Sequence, residues 1–248
     1  MISTLFHATV YDPLYNGLVF FVGVIPTHDV GLAVIALTIV VRIIIYPLSQ
    51  RVIESQLAMK KVAPAVEEIK KKYKKNSPEQ SQAIFALYRE RGVHPFASLG
   101  LLLVQFPVLI GLYWVFLNGG LPNIDTSLLY SFVPVPESVN MEFLGYVDMA
   151  ASHNLVLAAL IALSQLAYSR LSMGPREKAL ESTPVEASLS GDMAKSFDLQ
   201  ARYVFPAMFG IISYFVASAA PLYWLTSNVF MIGQELASGK RFGRSSPH

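Results

Sequence analysis

The sequence contains no cysteine in its 248 residues, and it is poor in charge. Without cysteine the chain forms no disulfide bond and carries no lipid on a cysteine, and its redox compartment is left open. Only 15% of the residues are Asp, Glu, Lys or Arg, whereas a typical soluble domain has about 25%. Hydrophobic residues make up 53% of the chain, and this composition is typical of a membrane protein.

Motifs of catalysis and cofactor binding are missing as well. No histidine has a second ligand at the spacing that a metal site needs; the histidines are His7, His28, His94, His153 and His248. The chain also lacks a glycine-rich phosphate loop, so we expect no ATP hydrolysis. We therefore predict that the protein is not an enzyme and that it uses neither a metal nor another cofactor.

The most informative stretch is Gly31–Leu48, GLAVIALTIVVRIIIYPL. Its length is close to the ~20 apolar residues that cross a bilayer, and it contains a single charge, Arg42. At ~1.5 Å per residue, Arg42 lies about 9 Å inside the Leu48 end of a helix. A charge at the centre of a bilayer costs about 2.5–3.5 kcal/mol on insertion scales, so we expect polar, hydrated surroundings for Arg42. Thr38, Tyr46 and Ser49 share its helix face.

Apolar runs and turn residues divide the chain into ten segments. The predicted fold is an all-α membrane protein with five transmembrane helices, at residues 30–48, 96–117, 152–171, 202–218 and 221–237. Residues 1–29 are predicted as an external arm and an interfacial helix, because Leu18–Ile25 is too short to span. One long kinked span from Leu18 to Leu48 is the alternative. We predict a tight turn at Ala219–Pro221 between the last two spans.

Polar segments connect these spans. Residues 49–95 predict a cytoplasmic helical hairpin that is kinked or split at Pro64, turns at Asn76–Pro78 and stops at Gly92. An external loop is expected at residues 118–151. A cytoplasmic loop at residues 172–201 and a cytoplasmic tail at residues 238–248 complete the chain.

The distribution of positive charge predicts the topology. Ten of the 19 Lys and Arg residues lie in residues 49–95, and all but Arg42 of the others lie in or beside the two later cytoplasmic segments. Residues 1–30 and 118–151 contain none, so we expect neither a cleaved signal peptide nor a transit sequence. By the positive-inside rule the N-terminus is outside and the C-terminus is cytoplasmic.

A few polar residues inside the spans are candidates for a site. Arg42 has two structural alternatives, which are snorkelling to the headgroups and pairing with Glu235. Polar residues at helical spacing predict a cavity lining or hydrogen bonds between helices; they are Gln105, Ser164, Gln165, Tyr168, Trp224 and Asn228. Trp224 also suits an interfacial aromatic belt. The lysines of residues 70–75 fit a solvated face, anionic lipid or ribosomal RNA.

Four stretches together resemble the YidC/Oxa/Alb insertase family. They are GLAVIALTIVVRIIIYPLSQ, KYKKNSPEQ, LYRERGVHPFASLGLLLVQFPVLIGLYWVF and LYWLTSNVFMIGQ, and the similarity extends over roughly residues 11–237. His94 stands where the family usually has asparagine, and the large external domain of Gram-negative members is absent.

The resemblance implies a five-helix core with a hydrophilic groove in the inner leaflet. Arg42, Gln165 and Trp224 would line this groove, and helical spacing adds Thr38, Tyr46 and Asn228. Phe106 and Leu109 would belong to the apolar face along which a client helix slides. The hairpin would recruit clients, with its lysines Lys70, Lys71, Lys72, Lys74 and Lys75.

These features predict an insertase of the bacterial inner membrane that moves client helices into the bilayer without nucleotide hydrolysis. Its expected partners are nascent membrane proteins, the ribosome, the lipid bilayer, the Sec translocon and the signal recognition particle receptor, and not DNA. The alternative is a small-solute transporter or channel in which Arg42 binds an anion. That alternative is disfavoured because the sequence shows neither repeated halves nor pairs of broken helices.

Overall fold

A computed structural model of the chain describes residues 2–73, 77–93, 97–117, 121–173 and 199–239. The chain forms two compact units, one of residues 1–43 and 107–248 and the other of residues 44–106. The described residues are mostly helical, in agreement with the predicted class, and they also include one short β-hairpin. Most of the predicted cytoplasmic loop at residues 172–201, and nearly all of the tail, lie outside the described residues.

The N-terminal segment is helical where the sequence predicted an exposed arm. Helix α1 (Ile2–Phe6), a π-helical turn (His7–Tyr11) and α2 (Asp12–Val24) follow one another. One face of α2 is fully buried in the protein, so it is more than a surface helix; this face contains Tyr15, Leu18, Val19 and Val22. Apolar packing of this face accounts for the helix, since isolated short helices are marginal in water.

A turn separates α2 from α3 (Val30–Lys72). Ile25 is extended and His28 has a φ of 49°, in the left-handed region, so the stretch from Leu18 to Leu48 is two helices and not one kinked helix. Asp29 then caps α3, because its Oδ1 accepts from the backbone N–H of Leu32 at 3.0 Å.

Helix α3 continues for 43 residues through Pro47 and Pro64. The predicted split at Pro64 is therefore wrong. A proline inside a helix costs about 3 kcal/mol, but Val62 and Val66 on either side of Pro64 are buried in one small core. That core, which also includes Ile84 and Leu87, offsets the cost.

The unit of residues 44–106 contains the hairpin of α3 and α4 (Ser77–Glu90). The stop at Gly92 is confirmed, because Gly92 has a φ of 63° and the N–H of Val93 donates to the carbonyl of Tyr88 at 2.8 Å. Burial raises the pKa of Tyr88, whose ring packs against this small core.

Four further helices complete the described chain. They are α5 (Ala97–Leu117), α6 (Leu155–Met173), α7 (Phe205–Phe215, preceded by a π-helical turn at Gln200–Val204) and α8 (Ala219–Ala237). The predicted turn at Ala219–Pro221 is instead the first turn of α8, where proline is tolerated because the first N–H groups have no helical partner. The chain turns earlier, at the extended Val216.

Helix α6 packs against both α7 and α8. A Cβ on Gly210 would lie 2.9 Å from the Cβ of Ala162, so this glycine permits the close approach of α7 to α6. By length and composition, two described stretches are able to cross a bilayer, Val30–Met59 and Leu155–Met173. Gln105–Phe116 is a shorter apolar helix, and the count of five spans stays a prediction.

The segment of residues 121–151, which we call the external segment after its predicted location, is more ordered than a plain loop. It contains a 3₁₀ turn (Thr126–Leu128) and an antiparallel hairpin of β1 (Glu142–Phe143) and β2 (Val147–Asp148). Its apolar residues join the main core, which includes side chains from α2, α3, α5 and α8; among them are Leu18, Val34, Leu112, Met149 and Leu222.

Candidate functional site

Arg42 is buried between helices of the larger unit. It lies twelve residues after the start of α3, which places it about 18 Å from that end of the helix. Only 4% of its surface is exposed, and the side chains of Tyr168 on α6 and Tyr223 on α8 interact with its charge. An arginine that snorkelled to the headgroups would be exposed, so this burial disfavours the snorkelling alternative.

Thr38 lies one turn before Arg42 and is fully buried. Its hydroxyl donates to the carbonyl of Val34 at 2.6 Å, within its own helix. The opposite side of this part of α3 is apolar and exposed, with Ile39, Val40 and Ile43. Helix α3 therefore has a polar face toward the protein and an apolar face suited to lipid.

Side-chain hydrogen bonds join α6 and α8 close to this level. The amide of Asn228 donates to the Ser164 hydroxyl at 3.0 Å, and Trp224 Nε1 donates to Gln165 Oε1 at 3.4 Å. The Trp224 ring also lies 4.3 Å from the ring of Phe209 on α7, centre to centre. The structure thus brings together four of the polar residues that the sequence singled out.

A buried carboxylate lies further along α8. Glu235 is only 1% exposed and lies two helical turns after Asn228 on α8. Tyr168 interacts electrostatically with both Glu235 and Arg42, and it shares a side-chain hydrogen bond with Ser172. We call this set the polar cluster; its members are Thr38, Arg42, Ser164, Gln165, Tyr168, Ser172, Tyr223, Trp224, Asn228 and Glu235.

Sequence reasoning missed one stripe of α8. Tyr223, Ser227 and Gln234 are all buried and share a face at steps of four and seven residues. The predicted stripe of α8 began one residue later, at Trp224, so Tyr223 was not included. The periodicity of Tyr223, Ser227 and Gln234 was the available signal.

Other predicted site residues are not part of the polar cluster. Tyr46 and Phe106 belong to the unit of residues 44–106, and both are exposed. Leu109 lies in the larger unit and packs against its main core. Of the predicted recruitment lysines, Lys70, Lys71 and Lys72 are exposed in the last turn of α3, and Lys74 and Lys75 lie outside the described residues.

The polar cluster is suited to recognition rather than to covalent chemistry. A guanidinium presents several N–H donors in a fixed plane, which matches the geometry of a carboxylate. Burial among helices lowers the local dielectric and strengthens any such contact.

Known proteins are similar to this chain over most of its length. The family model described as 60Kd inner membrane protein matches residues 21–244. A protein of Clostridium tetani named membrane protein insertase YidC is 29% identical over 87% of this chain and 84% of its own length. The protein of that name from Oceanobacillus iheyensis is 28% identical over 85% of this chain and 74% of its own length.

A third relative of the same name, from a Janthinobacterium species, is 27% identical. The match covers 86% of this chain but only 34% of that longer protein. The chain therefore belongs to the 60Kd inner membrane protein family, and its predicted membership of the YidC/Oxa group is confirmed.

Proposed function

We propose that the protein is an insertase of the bacterial inner membrane, which moves client transmembrane segments from the cytoplasm into the bilayer without a nucleotide. The observation that carries this proposal is the buried Arg42 on the polar face of a helix whose other face is apolar and exposed. The names of its relatives support the same function. We retain the predicted topology, with the N-terminus outside and the C-terminus in the cytoplasm.

The proposed mechanism uses differences in solvation. Each unsatisfied polar group of a client costs several kcal/mol in hydrocarbon, and this opposes the crossing of a polar flank. The polar cluster would offer partners to that flank halfway across, and Arg42 would attract an acidic residue in it. The apolar segment of the client would then leave into the surrounding lipid, driven by its own hydrophobicity.

Opening of the polar cluster is part of this proposal. Arg42 is almost fully covered, so a client reaches it only when α3, α6 and α8 move apart or side chains between them rotate. The contacts among these helices include side-chain hydrogen bonds such as Asn228 to Ser164. In membranes such bonds contribute only about 0.6–1.7 kcal/mol each. Breaking them to admit a client therefore costs little free energy.

The hairpin of α3 and α4 would recruit clients on the cytoplasmic side. Lys70, Lys71 and Lys72 are exposed at its tip, where they would contact ribosomal RNA or an emerging client. Nascent membrane proteins and the ribosome are the proposed partners. The Sec translocon and the signal recognition particle receptor are proposed as further partners.

The test uses purified protein in lipid vesicles and a single-span client made by in vitro translation. One client carries an acidic external flank and a second carries the same flank with amides in place of acids. We expect Arg42→Ala to lower insertion of the acidic client roughly tenfold, equivalent to about 1.4 kcal/mol, and to change the neutral client much less. Insertion is measured by protease protection of the translocated flank.

Ile43→Ala is the matched control, because Ile43 neighbours Arg42 but lies on the exposed apolar face. It should insert both clients like the unaltered protein. Thermal unfolding of both variants shows whether a loss of insertion is only a loss of folding. Equal insertion of the acidic client by Arg42→Ala would overturn the mechanism, and Arg42-dependent uptake of an anionic solute by the same vesicles would favour the transporter alternative.

A further inference from the structure

The outer side of the larger unit displays large apolar side chains on an ordered backbone. Phe132 is 73% exposed and Tyr146 is 92% exposed, although both lie in the external segment between α5 and α6. Val135 and Leu144 in that segment are also more than half exposed. Isolated exposed apolar residues are common on proteins, but a concentration of them marks a surface that contacts something.

The external segment continues the exposed face of α2. A Cβ on Gly23 would lie 3.8 Å from the Pro134 ring and 3.9 Å from Pro136, so the segment packs directly on this part of α2. Val135 stands between these two prolines, and Val24, the neighbour of Gly23, is exposed. We call the combined surface the external apolar patch; it consists of Phe20, Val24, Phe132, Val135, Leu144 and Tyr146.

Hydrogen bonds fix the segment to the outer ends of the helices. Leu144 N–H donates to Asp29 Oδ2 at 2.8 Å, just before α3 begins, and His153 N–H donates to the carbonyl of Tyr214 at 2.7 Å, near the end of α7. Ser218, just before α8, donates from its hydroxyl to the carbonyl of Ala151 at 2.7 Å. The segment therefore lies at the level where membrane-spanning helices leave the hydrocarbon.

The charges of the segment identify the kind of partner. Residues 118–151 contain no Lys or Arg and four acidic residues, Asp125, Glu137, Glu142 and Asp148. Attraction to anionic headgroups is therefore excluded as the cause of binding. Phenylalanine, tyrosine and valine without positive charge suit the boundary between headgroups and acyl chains, where aromatic rings are enriched.

We propose that the external apolar patch is inserted into the outer leaflet of the bilayer, so that lipid acyl chains cover it. The patch takes its residues from several positions along the segment and from α2, as a set of interfacial anchors would. It fixes the outer ends of α2 and α3 in the membrane. The proposal does not depend on the role of Arg42.

The absence of cysteine makes a direct test possible, because each single-cysteine variant carries one spin label. The variants are Phe132→Cys, Val135→Cys and Tyr146→Cys, with Glu137→Cys as the matched control from the same segment. Each protein is reconstituted in phosphatidylcholine vesicles, with the water-soluble nickel reagent on both sides. Label accessibility is measured by electron paramagnetic resonance with oxygen, which partitions into lipid, and with the nickel reagent.

We expect the ratio of oxygen to nickel accessibility to be several-fold higher at the three patch positions than at Glu137→Cys. The ratio should not change when phosphatidylglycerol is added or when salt is raised to about 1 M, because charge is not the cause of binding. All four substituted residues are exposed, so folding is not at risk. Nickel accessibility at the patch equal to that at the control would overturn the proposal and would leave a protein partner as the occupant.

Discussion

Under the proposed topology the larger unit has an outer end, where the external segment lies, and an inner half, which contains the polar cluster. These two regions satisfy their polar groups in different ways. At the outer end, buried side chains bind backbone groups that are far away in sequence. Asn16 donates to the carbonyl of Leu128 at 2.8 Å and accepts from the N–H of Tyr130 at 2.6 Å. Such bonds hold one backbone arrangement, because a different arrangement would leave buried groups unpaired.

In the inner half, some polar side chains bind side chains on a neighbouring helix, as Asn228 binds Ser164. The bond of Trp224 to Gln165 is long, at 3.4 Å, and Tyr168 interacts with both Arg42 and Glu235. Side chains exchange partners by rotation without moving a backbone. We therefore propose that the outer end stays fixed during insertion and that the inner half rearranges.

The first prediction concerns a substitution that disrupts packing at the outer end. A Cβ on Gly31 would lie 2.6 Å from the Cβ of Phe143, which is too close to the root of that side chain for rotation to relieve. Gly31→Ala should therefore push β1 away from α3 and lower the free energy of unfolding by about 3 kcal/mol. Thermal unfolding in detergent, followed by circular dichroism, measures the loss.

Gly233→Ala is the control for this change, because nothing lies within 4 Å of its Cβ position on α8. Alanine there should raise stability by about 0.5–1 kcal/mol, since glycine weakens a helix interior. If Gly31→Ala and Gly233→Ala have the same unfolding temperature, β1 is not packed tightly against α3 and the outer end is not rigid.

The second prediction concerns the inner half and has a smaller effect on stability. Asn228→Ala removes the bond to Ser164 and should cost about 1 kcal/mol, as interhelical bonds in membranes do. If the inner half rearranges during insertion, the same variant should change the rate of client insertion more than Gly31→Ala does, relative to the stability lost. Insertion rates and unfolding are measured on the same vesicle preparations.

Val229→Ala serves as the comparison for Asn228→Ala, because Val229 is the next residue and is exposed. It should leave both insertion and unfolding close to those of the unaltered protein. An insertion rate that falls only in proportion to stability in all these variants would remove the distinction between a fixed outer end and a changeable inner half.

The sequence predicted the parts of the fold that depend on local pattern. Apolar length and one buried charge identified α3 and Arg42, and helical spacing grouped Asn228 with Trp224. The sequence predicted that α4 stops at Gly92, and the positive φ of Gly92 fits that role. Each of these depends on residues within a few turns of one another, so a single chain segment contains the information.

Long-range pairing accounts for most of what the sequence did not reveal. Asn16 has partners more than a hundred residues away, in the external segment, and no local pattern singles it out. Pro64 looked like a break, and the packing on both sides of it keeps α3 continuous. Tyr223 is part of the polar cluster because it interacts electrostatically with Arg42 on another helix. The periodicity of α8 places Tyr223 on a buried face, but it does not identify this partner.

The third prediction has the smallest expected effect and tests the outer end through the pH dependence of stability. Ser127 donates to Asp125 from its hydroxyl at 2.6 Å and from its backbone N–H at 2.9 Å, and these bonds hold the pKa of that carboxyl below its ordinary value. The stability from this lowered pKa is present above the ordinary pKa of about 3.9 and is lost as the pH falls through the folded value.

Ser127→Ala removes the hydroxyl bond, so the pKa of Asp125 should rise toward its ordinary value; the variant should melt below the unaltered protein above about pH 4, and the difference should shrink as the pH falls. Melting temperatures of the two proteins are compared from about pH 3 to pH 6, around the ordinary aspartate pKa. Ser138→Ala, an exposed serine of the same segment, is the control and should follow the unaltered curve. Because the Asp125 N–H also donates to the Tyr15 hydroxyl at 2.7 Å, a loss of stability that is present at pH 6 and fades toward pH 3 would show that this turn helps to hold the outer segment on α2. Identical melting curves for the two proteins would mean that the buried hydrogen bonds of Asn16 and Asp29 alone hold the outer segment in place.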